Sequence, residues 1–267
     1  MTTMSDLAGR SPSGRQARPT RNELLVMLAI LAAYAVVGVW LIADGAPLGH
    51  DESVYALKSR QMHSGGTSLW YWNDYRAPGL PLLLQVTWLF SGTEPFLRAS
   101  VWALGAVGVS LTWLIGRSLF DVRSGLIAAA GLTMASPWLA SSTSVWPDVP
   151  GAVLGLAAVA IMLFSTEGKK ASWWILAAAP VAVIAVLVRY GALVPMGIGA
   201  LAIMIWRREV VAHSIRQFLA LGALAAIGSW MILFVPAVTG SSTSPFSSIQ
   251  RLRDENPIEL TRGLRDY

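Results

Sequence analysis

The chain has 267 residues, of which 54% are hydrophobic and only 13% are charged, whereas soluble domains carry about a quarter of charged residues. This balance argues against a soluble enzyme. The formal net charge is +5, but the basic residues lie in short clusters between apolar runs, a distribution typical of membrane topology signals and not of a nucleic-acid-binding face. With no cysteine, the chain has neither disulfides nor a thiolate metal site.

The first 22 residues contain four arginines among Ser, Thr, Pro and Gly, and we predict a disordered cytoplasmic tail over 1–22. The apolar run from Leu24 to Ala43 is long enough to cross the roughly 30 Å hydrocarbon core of a bilayer. It has no early small-residue cleavage site, so we predict a retained membrane helix and not a signal peptide.

An acidic pair, Asp51-Glu52, follows this first span. The pattern predicts a short interfacial helix from Asp51, its candidate N-cap, to about His63, ended by Gly65 and Gly66. The next apolar stretch, Ala77–Phe90, is too short to span and is interrupted by prolines, so we predict a juxtamembrane helix there.

The rest of the chain contains six further apolar runs, at about residues 96–116, 126–142, 149–165, 173–188, 192–206 and 218–238. We therefore predict an all-α, polytopic transmembrane bundle of about seven spans. Its membrane module covers residues 23–238 and includes an outer loop at 44–90. The segment 239–267 is predicted to be a tail on the outer face.

The positions of the basic residues test this topology. If 77–90 does not cross and the N-terminus is inside, the loops with Arg117 and Arg123, with Lys169 and Lys170, and with residues 207–216 all lie inside. The acidic loop, Asp148 and Arg189 then lie outside. This predicts a multi-pass protein of the cell membrane with a cytoplasmic N-terminus.

Several short motifs occur in an order that resembles a known family, the polytopic GT-C glycosyltransferases, in particular the group of protein O-mannosyltransferases and lipid A aminoarabinose transferases. The matching pieces are Asp51-Glu52 with Tyr55 and Arg60-Gln61-Met62, Arg76-Ala77-Pro78, Leu89-Phe90-Ser91-Gly92 with Glu94 and Arg98, Arg117-Ser118-Leu119-Phe120 with Arg123, Pro147-Asp148, Arg189-Tyr190-Gly191 and, more weakly, Ile249-Gln250-Arg251. The chain resembles the shared seven-helix module of longer members, which carry more helices and a C-terminal part.

The resemblance implies transfer of a sugar from a polyprenyl-phosphate donor to a lipid, glycan or protein acceptor on the outer face of the membrane, with inversion. It implies Asp51 as the general base, Asp148 as the second outer-loop acid, and Arg76 near the donor phosphate. Glu52, Tyr55, Arg189 and Arg251 are the further candidates for binding the donor phosphate or substrate.

Each of these residues also has a structural interpretation. Asp51 is a candidate helix cap, and Glu52 is expected to pair with Lys58, Arg60 or Arg76. Arg189 interrupts a long apolar run, which favours buried pairing with an outer acid such as Asp148 over snorkelling to the interface. Arg76 is alternatively a ligand of lipid headgroups, and Arg251 part of a solvated basic face.

Metal binding by His50 and His63 with Asp51 and Asp148 is a weaker hypothesis, because two histidines 13 residues apart do not have the spacing of a helical ligand pair. We predict no cofactor. Two alternatives to sugar transfer stay open: a transporter or lipid-binding membrane protein that uses the same cavity without bond cleavage, and an inactive fragment of a longer glycosyltransferase.

Overall fold

The computed structural model describes residues 19–45, 47–64 and 78–238, with side chains up to residue 230. Across these ranges the chain is helical and contains no strand. The α-helices are α1 Arg21–Ala43, α2 His50–His63, α3 Gly79–Leu83, α4 Gln85–Trp88, α5 Glu94–Leu119, α6 Val122–Met134, α7 Ser136–Ser142, α8 Asp148–Ser165, α9 Ala178–Val188, α10 Leu193–Trp206, α11 Arg208–His213 and α12 Ile215–Val238. Short 3-10 helices at Trp173–Ala177 and Tyr190–Ala192 lead into α9 and α10.

The first helix begins at a capping box. The Thr20 hydroxyl accepts a hydrogen bond from Glu23 N at 3.2 Å, and the Glu23 carboxylate accepts one from Thr20 N at 3.4 Å. These two bonds satisfy backbone donors that the helix itself leaves unpaired. The predicted span at 24–43 is therefore confirmed as a helix that starts three residues earlier.

Contacts at the two ends of α1 show how it runs against α5. Glu23 Oε1 at the start of α1 lies 2.6 Å from Arg117 Nε in the last turn of α5. A Cβ placed on Gly45, just after α1, would lie 3.2 Å from Arg98 Nη1 in the second turn of α5. The two helices are antiparallel, so the segment 46–93 leaves and returns at the same end of the bundle. Within this segment the described residues 78–90 form only the short helices α3 and α4, and this agrees with the prediction that this part of the chain does not cross.

We call the end that carries Ala43, Glu94 and Asp148 the site end, and the end that carries Glu23, Arg117 and Ser165 the basic end. Helix α8 is the centre of the bundle and is the most buried of the long helices. It packs between α5, α9 and α10. Small residues allow these close approaches, since a Cβ on Gly108 would meet Val153 of α8 at 2.9 Å.

Three helices, α1, α5 and α8, are long and apolar enough to cross a membrane by themselves, and several shorter apolar helices accompany them. The run predicted as one span at 126–142 is instead two helices, α6 and α7, that break at Ala135. Pro137 explains the break: in a continuous helix its ring would clash with the carbonyl of Thr133, whereas it fits the first turn of a new helix. The runs predicted at 173–188 and 192–206 each begin with a 3-10 turn.

Candidate active site

The acidic pair lies in the first turn of α2, whose N-cap is two residues earlier than predicted. Gly49 is the N-cap, and its backbone N–H donates to Glu52 Oε2 at 2.9 Å. The expectation that Asp51 caps the helix is therefore wrong, because Glu52 reaches back to the start of the helix in its place. Asp51 is exposed in the first turn, where the helix dipole favours a negative charge.

Glu52 is buried and ties three segments together. Its Oε1 accepts a hydrogen bond from Val145 N at 2.8 Å, and its Oε2 pairs with Arg98 Nη2 at 3.4 Å. Only 9% of either charged side chain is exposed. Arg98 also pairs with Glu94 one turn earlier on α5, at 3.2 Å, and its Nη1 lies 3.5 Å from the Thr143 carbonyl oxygen. The acid thus fixes α2 to α5 and to the loop before α8.

The partner of Glu52 differs from the expected one. We expected Lys58, Arg60 or Arg76, and the ion pair forms with Arg98, which is 46 residues away along the chain. The sequence does carry a signal for this arginine. A charge inside an apolar span is expected to find a partner, and Arg98 lies four residues after Glu94 within such a span.

Asp148 and Arg189 form a second ion pair at the site end. Asp148 is the first residue of α8, and Arg189 follows α9 in extended backbone before the chain turns into α10. The predicted pairing is confirmed, although the pair is not buried: 39% of the Asp148 side chain and 45% of the Arg189 side chain are exposed. Solvent or a ligand can therefore reach both groups.

An apolar cluster lies beneath these two ion pairs and holds their helices together. Tyr55 of α2 is 6% exposed and belongs to this cluster, so the structure places its ring in the core. The other members come from α3 and the residue after it, from α5, α8 and α9, and from the loop before α8: Leu80, Leu84, Leu97, Val101, Val145, Val149, Val153 and Val188.

Helix α3 approaches the end of α9 very closely. A Cβ on Gly79 would lie 2.6 Å from Val188 N, so only a glycine allows this contact. The contact places the start of α3 beside the segment that carries Arg189. The candidates Arg76 and Arg251 lie outside the described residues.

The sequence also raised a metal site. Among the described residues, no group of three His, Cys, Asp or Glu side chains is arranged to hold a metal ion. His63 instead stacks on Trp88 of α4, with 5.4 Å between ring centroids, and His50 lies at the opposite end of α2.

Comparison with known proteins gives one family. Residues 76–234 match the model of the family described as dolichyl-phosphate-mannose-protein mannosyltransferase. The match covers more than half of the chain and includes Arg98, Asp148 and Arg189, while Asp51, Glu52 and Tyr55 precede it. No curated protein and no solved structure gives a significant match.

Proposed function

The chain belongs to the dolichyl-phosphate-mannose-protein mannosyltransferase family, whose members have the GT-C type of membrane glycosyltransferase domain, and we propose that its reaction takes place at the site end. Membership makes the chain a membrane glycosyltransferase that uses a polyprenyl-phosphate sugar. We further propose which residues act, that the configuration of the sugar is inverted, and that the site lies on the outer face of the membrane. The acceptor is a lipid, glycan or protein hydroxyl.

One observation carries the assignment of the base: two adjacent carboxylates have opposite environments. Both oxygens of Glu52 already accept hydrogen bonds or pair with Arg98 in a buried network. Asp51 is exposed at the same end of the bundle. A general base must reach the proton that it removes, so we assign this role to Asp51 and an anchoring role to Glu52.

A connection between neighbouring residues supports placing Asp51 and Asp148 in one site. Glu52 binds Val145 N, and Val145 is only three residues before Asp148. This connection supports a single site that contains Asp51, Asp148 and Arg189. We propose that Asp148 orients the Arg189 guanidinium toward the donor.

In the proposed reaction, Asp51 accepts the proton of the acceptor hydroxyl. The acceptor oxygen attacks the anomeric carbon while the bond between that carbon and the phosphate oxygen breaks, and polyprenyl phosphate leaves with the bonding electrons. Attack from the face opposite the leaving group inverts the configuration. Positive charge stabilises the departing phosphate, and a guanidinium suits phosphate through its forked donors. We propose Arg189 for this role, with Arg76 and Arg251 as further phosphate ligands and Tyr55 as a residue that supports the site from below.

The test compares Asp51→Asn with Asp44→Asn in membranes supplied with a radiolabelled polyprenyl-phosphate sugar. Asp44 is a matched control because it is exposed and follows α1 at the same end. Asp51→Asn is expected to lower transfer by roughly 100-fold or more, the usual contribution of a general base, with little change in donor binding. Asp44→Asn is expected to transfer normally.

Normal transfer by Asp51→Asn would remove Asp51 from the mechanism. Donor binding without transfer in the unmodified chain would instead favour a lipid-binding or transport role. The anomeric configuration of the product, read by NMR, tests inversion separately.

A further inference from the structure

The basic end of the bundle contains two loops that are far apart in sequence and held together in space. One loop, residues 166–172, follows α8, and the other, residues 207–214, follows α10 and includes α11. Ala171 N donates a hydrogen bond to Ser214 Oγ at 2.8 Å, and both residues are buried. Because the bond is shielded from water, it fixes the two loops to each other and does not merely bring them near.

Five cations lie in these two joined loops and at the start of α12: Lys169, Lys170, Arg207, Arg208 and Arg216. Two carboxylates accompany them, Glu167 and Glu209. In the described part of the chain, none of the five cations forms an ion pair. Arg117, at the same end, differs because Glu23 neutralises it. The joined loops therefore present an excess of positive charge.

Exposed tryptophans border both basic loops on the side of the helices. Trp206 is 51% exposed and directly precedes Arg207, whose guanidinium carbon lies 5.7 Å from the centre of the indole ring. Trp173 and Trp174 follow the lysines and are 62% and 78% exposed. Tryptophan favours the level of the lipid headgroups. The cations next to these rings are then placed at the depth of the headgroup phosphates.

We propose that the five cations form a binding site for the headgroups of anionic phospholipids in the leaflet at the basic end. The site is separate from the proposed sugar-transfer site, because α8, with 18 residues and a rise of about 1.5 Å per residue, separates the two ends. Charge complementarity selects anionic over zwitterionic lipids, and the indole rings keep the cations at the interface. The Ala171–Ser214 hydrogen bond makes one site from two loops.

The experiment uses the full chain reconstituted in phosphatidylcholine vesicles. Electron spin resonance of spin-labelled lipids gives the association constant of phosphatidylglycerol relative to phosphatidylcholine at the protein surface. Two double variants, Lys169→Gln/Lys170→Gln and Arg208→Gln/Arg216→Gln, each remove two of the five charges. Each is expected to lower the association constant of phosphatidylglycerol relative to phosphatidylcholine roughly tenfold. The double variant Lys58→Gln/Arg60→Gln removes two cations of α2, at the opposite, site end of the bundle, and is expected to keep the ratio.

Two further measurements make the result decisive. Arg208→Lys/Arg216→Lys retains the charge and is expected to retain the preference, which distinguishes lost charge from damaged folding. Inorganic phosphate at constant ionic strength is expected to leave the preference unchanged. An unchanged ratio in both double Gln variants, an equal loss in the control variant, or displacement of the lipid by inorganic phosphate would each overturn the proposal.

Discussion

The Glu52–Arg98 pair and the Asp148–Arg189 pair lie at the same end of the bundle and have the same chemistry, yet their surroundings differ. The first is 9% exposed and joins α2, α5 and the loop before α8. The second is about 40% exposed and joins only the start of α8 to the end of α9. A buried pair cannot reach a ligand without breaking the fold, whereas an exposed pair contributes little to stability and is accessible. Burial thus distinguishes Glu52 and Arg98, which hold the helices of the site together, from Asp148 and Arg189, which we propose act in the reaction.

The largest expected difference between the two pairs is in stability. Glu52→Ala removes one of the two carboxylates that pair with the buried charge of Arg98, and it removes the acceptor of the Gly49 and Val145 N–H groups. Breaking a buried pair costs about 3–5 kcal/mol, and we expect this loss in the free energy of unfolding in mixed detergent micelles. Asp148→Ala is expected to cost about 0–1 kcal/mol, as for exposed pairs. Equal losses in the two variants would contradict the distinction.

A somewhat smaller effect is expected at the basic end, where Glu23 and Arg117 form another buried pair with side chains 2% and 10% exposed. Arg117 Nε and Glu23 Oε1 are 2.6 Å apart. Arg117→Met is expected to cost about 3 kcal/mol, because it leaves a buried carboxylate without its partner.

The double variant Glu23→Leu/Arg117→Met is expected to recover most of that loss, since apolar replacement of a whole buried pair is often neutral. The midpoint of denaturant-induced unfolding measures both variants. A double variant as unstable as the single one would show that the pair does more than hold the helix ends together.

Much of the fold followed from hydropathy and charge. The helical class, the span at Arg21–Ala43 and the return of residues 77–90 to the same end were all predictable, because each depends on local composition or on the distribution of Lys and Arg. The break between α6 and α7 was missed, although Pro137 signalled it. Inside an apolar run a proline permits either a kink or a new helix, and tertiary packing decides between them.

The site was predictable in part, for a related reason. The pairing of Asp148 with Arg189 could be expected, since an arginine in an apolar run needs a partner and few acids lie on its side. The partner of Glu52 could not be chosen, because Arg98 is far away in sequence and nearer cations competed for the same acid. The buried face of the interfacial helix is not its apolar face: Glu52, Tyr55 and Ser59 are buried, whereas Leu57 is 55% exposed. Polar contacts with Val145, Gln85 and Trp88 outweighed the apolar pattern.

The smallest expected effect concerns a fully exposed carboxylate at the basic end, the N-cap Asp121 of α6. Its Oδ1 accepts a hydrogen bond from Ser124 N at 2.7 Å, and the hydrogen bonds from Ser124 lower the pKa of the Asp121 carboxyl below its ordinary 3.8. A lowered pKa in the folded state stabilises the protein above the pKa of the unfolded chain, and this contribution is lost as the pH falls through the folded-state pKa. The melting temperature of Asp121→Ala should therefore lie below that of the unmodified chain near neutral pH, and the gap should narrow below about pH 4. Asp121→Asn keeps an oxygen acceptor but has no titrating group, so the difference in melting temperature between Asp121→Asn and Asp121→Ala should not change with pH. If this difference also narrows at low pH, the pH dependence comes from other carboxylates.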